Sequence, residues 1–97
     1  MILHTFNKSP SHSPEQLQSC LLALLPGDSL LLIEDGVYAA LGALALPSLP
    51  AGVTLYLLSE DLAARGISAR IAPEFSRVDY QGFVSLCLQH AKVVNWN

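Results

Sequence analysis

Ninety-seven residues carrying a formal net charge of −3, with only 13% charged side chains, make one domain with a modest core and about half the charge of an average soluble domain. The acidic balance argues against broad electrostatic binding to nucleic acid. No apolar run approaches the roughly 20 residues that cross a bilayer, and no basic region leads into an apolar core as in a signal peptide.

The first predicted strand, residues 2–6, is β-branched or aromatic at Ile2, Thr5 and Phe6. A polar loop follows at 7–13, with Lys8, Pro10 and His12. Ser13-Pro14-Glu15-Gln16 reads as a helix start, with Ser13 as N-cap and Pro14 at the first helical position. The helix runs to about Leu25, where Pro26-Gly27 stops it. Leu17, Leu21, Leu24 and Leu25 form its inward stripe, and Cys20 falls at the stripe's edge.

Residues 29–40, a strand–turn–helix unit opening on Leu30-Leu31-Leu32-Ile33, are the stretch around which the chain is organised. Four large apolar residues without alternation read as a strand buried on both faces, as inside a parallel sheet covered by helices. Pro26-Gly27-Asp28 breaks structure before it and Glu34-Asp35-Gly36 after it. Residues 37–44, small and apolar, suit a helix packing closely on the sheet, with Val37, Tyr38 and Leu41 offered to partners. A Pro-punctuated link at 46–52 leads to a third strand at 53–58. Ser59-Glu60-Asp61 caps a short helix over 62–65, closed by Gly66 in a left-handed conformation. Residues 67–73 are loop or a short extended piece, and Arg77-Val78 marks a brief fourth strand. Asp79 caps a helix from Tyr80 to about His90, and residues 92–96 form the last strand. Strands alternating with helices give an α/β class: a single domain over residues 1–97, an open, mostly parallel sheet of about five strands, helices on both faces and right-handed crossovers.

Sparse charge on an apolar share of 52% predicts that other subunits cover part of the surface, because large exposed apolar patches mark interfaces. Two cysteines without an export signal fit free thiols in a reducing cytoplasm. Cys87 shares a helix face with Tyr80, Phe83 and Val84 and is expected in the core. Cys20, at a stripe edge, is the candidate catalytic thiol, although no cation lies nearby in sequence to favour a thiolate. The pairs Glu34-Asp35 and Glu60-Asp61 fall at strand carboxyl ends, where paired carboxylates can do acid/base work or bind a ligand. The same residues also suit the positive ends of helix dipoles. His4, His12 and His90 have no metal-ligand spacing with each other or with the cysteines, so neither a metal nor a cofactor is expected. The cations Lys8, Arg65, Arg70, Arg77 and Lys92 are scattered, and no direct nucleic-acid contact is expected.

Several ordered segments resemble the DsrH/TusB family of small sulfur-relay subunits. These are Ile-Leu-His-Thr-Phe-Asn-Lys-Ser-Pro at 2–10, Leu-Leu-Leu-Ile-Glu-Asp-Gly-Val-Tyr-Ala-Ala at 30–40, Leu-Tyr-Leu-Leu-Ser-Glu-Asp-Leu-Ala-Ala-Arg-Gly at 55–66, Val-Asp-Tyr-Gln-Gly-Phe-Val at 78–84, and Trp96. The resemblance implies a DsrE-like, flavodoxin-like fold. It also implies an accessory subunit that joins DsrE/TusD-like and DsrF/TusC-like partners in a dimer of heterotrimers. Such a complex takes persulfide sulfur from one carrier protein and passes it to another, either for 2-thiolation of the tRNA wobble uridine or in sulfur oxidation. The main transfer cysteine belongs to the DsrE/TusD-type partner. Some DsrH-type members carry a cysteine in the first helix, which Cys20 matches, whereas TusB-type members often lack it. A stand-alone thiol sulfurtransferase using Cys20, and a small-ligand binder using the acidic strand ends, are the competing classes.

Overall fold

The computed structural model describes residues 1–41 and 48–96. Its strands β1 (Ile2–Phe6), β2 (Ser29–Leu32), β3 (Thr54–Leu58), β4 (Phe75–Val78) and β5 (Lys92–Trp96) form one parallel sheet in the order β4-β3-β2-β1-β5. Three α-helices, α1 (Pro14–Ala23), α2 (Ser59–Arg65) and α3 (Tyr80–Gln89), and a 3-10 stretch at Glu34–Ala40 connect them. The expected α/β class, with five strands and helices on both faces, is what the chain adopts. β2 is the middle strand and every one of its residues is buried. Leu30 and Leu32 join Phe6, Leu57, Cys20 and Leu62 on one face, while Leu31 meets Leu3 and Leu86 on the other.

The two faces are unequally clothed, and the strand order says why. From β1 through β4 the chain advances one way across the sheet, and its connections pack against the first face through Leu21, Val37 and Leu62. The step from β4 to β5 runs back the other way. Since parallel crossovers keep a right hand, a reversed step lays its helix on the opposite face. α3 is therefore the one helix of the second face among the described residues, contributing Phe83, Leu86 and Cys87.

Several local expectations are corrected. α1 ends at Ala23, and Leu24 turns to extended backbone (φ −68°, ψ 132°). Leu24 still points inward, but the changed direction swings Leu25 into solvent, out of the predicted stripe. Ser13 makes no side-chain cap, so Pro14 begins the helix without a hydroxyl's help. After β2 the chain forms the 3-10 stretch Glu34–Ala40 rather than an α-helix from Val37 onward, and positions 42–44 of that predicted helix lie outside the described residues. Val37 is fully buried, and Tyr38 and Leu41 pack partly buried against the first-face core. Leu41 also bridges Ile71. Val37 is therefore not the exposed position expected, while Tyr38 and Leu41 keep part of their surface open. α2 starts at Ser59, earlier than predicted, and ends as expected on Gly66 with φ 66°.

Candidate functional site

Cys20 lies inside, not at an edge. Its side chain is fully buried between α1 and the sheet among Phe6, Leu21 and Leu24. The leucine stripe put it at an edge, but the inward direction of α1 is set by the sheet beneath. Burial in apolar surroundings pushes the thiol up from 9.0 to about 12, since the charged thiolate loses its hydration there. Sulfur transfer needs a thiolate within reach of its acceptor, and this placement favours neither. Native protein at pH 8 is therefore expected to leave Cys20 unmodified by iodoacetamide over times in which the half-buried Cys87 reacts. Cys20 should label only as fast as the chain unfolds. Peptide mapping of alkylated cysteines over time checks this.

The acidic strand ends meet as predicted at the carboxyl edge of the sheet, but they serve as braces between loops. Asp61 Oδ2 accepts the Glu34 backbone N–H at 2.6 Å, holding a residue whose φ is 50°. Glu60 Oε2 accepts the Tyr80 N–H at 3.2 Å, and Ser59 Oγ donates to the Val78 carbonyl. Arg65 donates to Asp35 Oδ1 through Nε at 3.0 Å and lies within 2.9 Å of it through Nη2. The helix-dipole reading placed these residues correctly in first turns. Their hydrogen bonds nonetheless run to neighbouring segments and tie α2 to the 3-10 stretch and to α3. Asp79 caps α3 as expected, accepting from the Gly82 N–H at 2.8 Å.

A buried polar network at the other end of the sheet escaped the spacing rules. Asp28, read from the sequence as part of a breaker, is buried just before β2. Its Oδ1 accepts the Ile2 N–H at 3.0 Å, and its Oδ2 accepts the Leu25 N–H and meets His4 Nε2, each at 3.1 Å. The other nitrogen of His4, Nδ1, accepts the indole N–H of Trp96 at 3.1 Å. On the opposite face His90 pairs with the Leu86 carbonyl through Nδ1 and with Ser29 Oγ through Nε2, and Thr5 Oγ1 donates to Asn95 Oδ1 at 2.6 Å. Two sequence signals pointed here: an imidazole in the middle of an apolar strand, and a carboxylate abutting the most buried one. No local spacing joins positions 4, 28 and 96.

Burial pushes the Asp28 carboxyl up, but the N–H groups of Ile2 and Leu25 and the His4 ring outweigh it and hold the group below its ordinary 3.8. A depressed folded value means that the stabilisation is complete above pH 3.8 and is lost as pH falls through the folded value. Asp28→Asn places an amide N–H against at least one of the three donors and is expected to cost about 2–4 kcal/mol at neutral pH. Urea midpoints measured at pH 7 and at pH 3 should show the gap between wild type and variant shrinking in acid.

The surface that stands out is on α3. Tyr80, Val84 and Leu88 are 57%, 59% and 83% exposed, and their i, i+4, i+8 spacing lines them up along one side of the helix. The sequence reading put Tyr80 and Val84 on the inward arc with Phe83. In the fold the inward arc is Phe83, Leu86 and Cys87, because a single helix on that face has no neighbour to cover its flank. Val93 of β5, opposite Leu3 in the ladder, looks to the same side and is also exposed. α3 carries no Asp, Glu, Lys or Arg, a signal present in the sequence from the start. A monomer rarely leaves such a stripe to water.

No helix among the described residues is long and apolar enough to cross a membrane. Together, the parallel sheet and its helices define a small α/β domain that leaves an uncharged apolar stripe exposed on one face. A family model described as "DsrH like protein" matches residues 8–93, and the chain belongs to that family. Protein TusB of Klebsiella pneumoniae (strain 342) is 41% identical over 97 residues, covering 98% of this chain and 100% of that protein. Protein TusB of Pectobacterium parmentieri is 37% identical with the same coverage. Among solved structures, the YchN protein from E. coli superposes with a TM-score of 0.77 at 20% identity, covering 97% of each chain. Protein Tm0979 from Thermotoga maritima gives 0.67 at 24% identity over 93% of this chain and 94% of that one. At those identities the two structures bear on the fold alone.

Proposed function

We propose that this protein is an accessory, non-catalytic subunit of a cytoplasmic sulfur-relay complex. It docks DsrE/TusD-like and DsrF/TusC-like subunits, whose assembly passes persulfide sulfur between carrier proteins for 2-thiolation of the tRNA wobble uridine. Family membership supports the relay. Full-length similarity to proteins named TusB favours the tRNA branch over sulfur oxidation. The observation that carries the subunit role is the uncharged stripe of Tyr80, Val84 and Leu88 on the face with a single helix.

In this reading the reactive sulfur belongs to a partner, and Cys20 fills space in the first-face core. A stand-alone sulfurtransferase would need Cys20 as an accessible thiolate, which its burial opposes. A ligand site at the acidic strand ends would compete with the braces that those carboxylates already make. The test is a deletion strain complemented with wild type or Cys20→Ser, with 2-thiouridine in tRNA quantified by mass spectrometry and the purified complex mapped for persulfide. Cys20→Ser is expected to restore thiolation to near the wild-type level, with persulfide on partner cysteines. Thiolation abolished in a complex that still assembles would overturn the reading, as would a chain that purifies with no partners.

A further inference from the structure

We propose that His4 is a proton-operated clasp on the carboxyl end of β5. The ring is buried and held from both sides: Asp28 Oδ2 lies 3.1 Å from Nε2, and the indole Nε1 of Trp96 lies 3.1 Å from Nδ1. An indole nitrogen can only donate. Nδ1 must therefore offer its lone pair, and the ring proton sits on Nε2, directed at the Asp28 carboxylate. The two rings lie 6.3 Å apart between centroids and 26° from parallel.

A second proton, taken from solvent, has one place to go, and that is Nδ1. It would turn the indole's acceptor into a donor, so that two N–H groups face each other and the Trp96 bond is lost. On the other side the same proton converts the Nε2–Asp28 contact into an imidazolium–carboxylate pair. One event tightens the hold on the start of β2 and lets go of the end of β5. Trp96 is opposite Phe6 in the ladder and packs partly buried against the first-face core, so its release leaves the final pair of this edge strand to its backbone bonds.

Other ionisable groups on the elements packed around the ring are few. α1 carries Glu15 in its first turn and the neutral, buried Cys20 thiol, and β2 carries none. β5 carries Lys92, exposed and opposite Ile2 in the ladder, and the amino terminus at Met1 is exposed. Among the described residues, Asp28 alone is in contact with the ring as a charged partner.

Trp96 is the sole tryptophan, so its indole N–H is a direct reporter. The full-length chain, labelled with 15N, is titrated from pH 8 to pH 5 while the indole and imidazole resonances are followed by NMR. The indole proton is expected to move upfield to an unbonded position along the same curve as the His4 ring, with the remaining spectrum still dispersed. His4→Asn keeps an acceptor for the indole without a titrating ring, and its indole peak is expected to stay at the bonded position throughout. An indole resonance that stays still while His4 titrates would overturn the clasp. So would one that moves only with global unfolding, a His4 ring that takes no second proton before the chain unfolds, or an Asn variant that responds as wild type does.

Discussion

Gly36→Ala is expected to destabilise the protein by more than about 3 kcal/mol, beyond the usual 1–3 kcal/mol of overpacking, and to lower its soluble yield. Gly36 is buried, and a Cβ built on it would lie 2.1 Å from the carbonyl oxygen of Phe6, 2.9 Å from that carbonyl carbon and 3.2 Å from the Phe6 ring. No rotamer change relieves a collision with backbone. Nor can the Phe6 carbonyl step aside freely, since it accepts the Ile33 N–H at 3.0 Å where β2 leaves the ladder. The Gly36 N–H in turn donates to the Ile33 carbonyl at 2.8 Å. The new methyl must therefore break the junction between β1, β2 and the 3-10 stretch, or push the stretch off the sheet. Gly66→Ala is the control with the opposite logic. Nothing lies within 4 Å of its Cβ position, but φ is 66°, so the cost is conformational and about 1 kcal/mol. Urea denaturation of the two variants beside wild type should separate them clearly, and equal midpoints would contradict the packing reading of Gly36.

Val84→Asp combined with Leu88→Asp is expected to abolish co-purification with the partner subunits while leaving the isolated chain folded. Both positions are more than half exposed, so neither loses much buried area. The cost to the chain is small: valine and aspartate have similar helix propensities, and Leu88→Asp costs about 0.5 kcal/mol in propensity, plus a few tenths for a negative charge in the last turn of α3. At an interface the same charges would have to be desolvated against apolar surface, which costs several kcal/mol unless they are paired. Gln18→Asp, on the exposed side of α1, is the matched control and should assemble normally. Sedimentation of co-expressed subunits, with thermal unfolding of the isolated variant, gives both readouts. A double variant that still assembles would move the docking surface elsewhere and remove the main support for the subunit role.

Much of the architecture was legible because it is encoded locally. An unbroken apolar run between Pro26-Gly27-Asp28 and Glu34-Asp35-Gly36 has only a doubly covered strand to become, and β2 is that strand. Asp79 and Gly66 announced a helix start and a helix end because capping depends on the few residues around it. Alternating strands and helices restricted the sheet to parallel connections. The family resemblance, spread over segments from residue 2 to Trp96, agrees with the match over residues 8–93.

What the sequence determined by itself is thus the order of elements, the parallel sheet and a surface short of charge, since each follows from neighbours within a few positions. Only the tertiary structure decided which edge residues lie in or out. Cys20 went inward and Leu25, Tyr80 and Val84 outward, because the outcome depends on what lies across from the helix rather than along it. It also decided that Asp28, His4 and Trp96 meet. They come from the turn before β2, from β1 and from β5, and the pairing of those strands is what brings the three side chains within hydrogen-bonding distance.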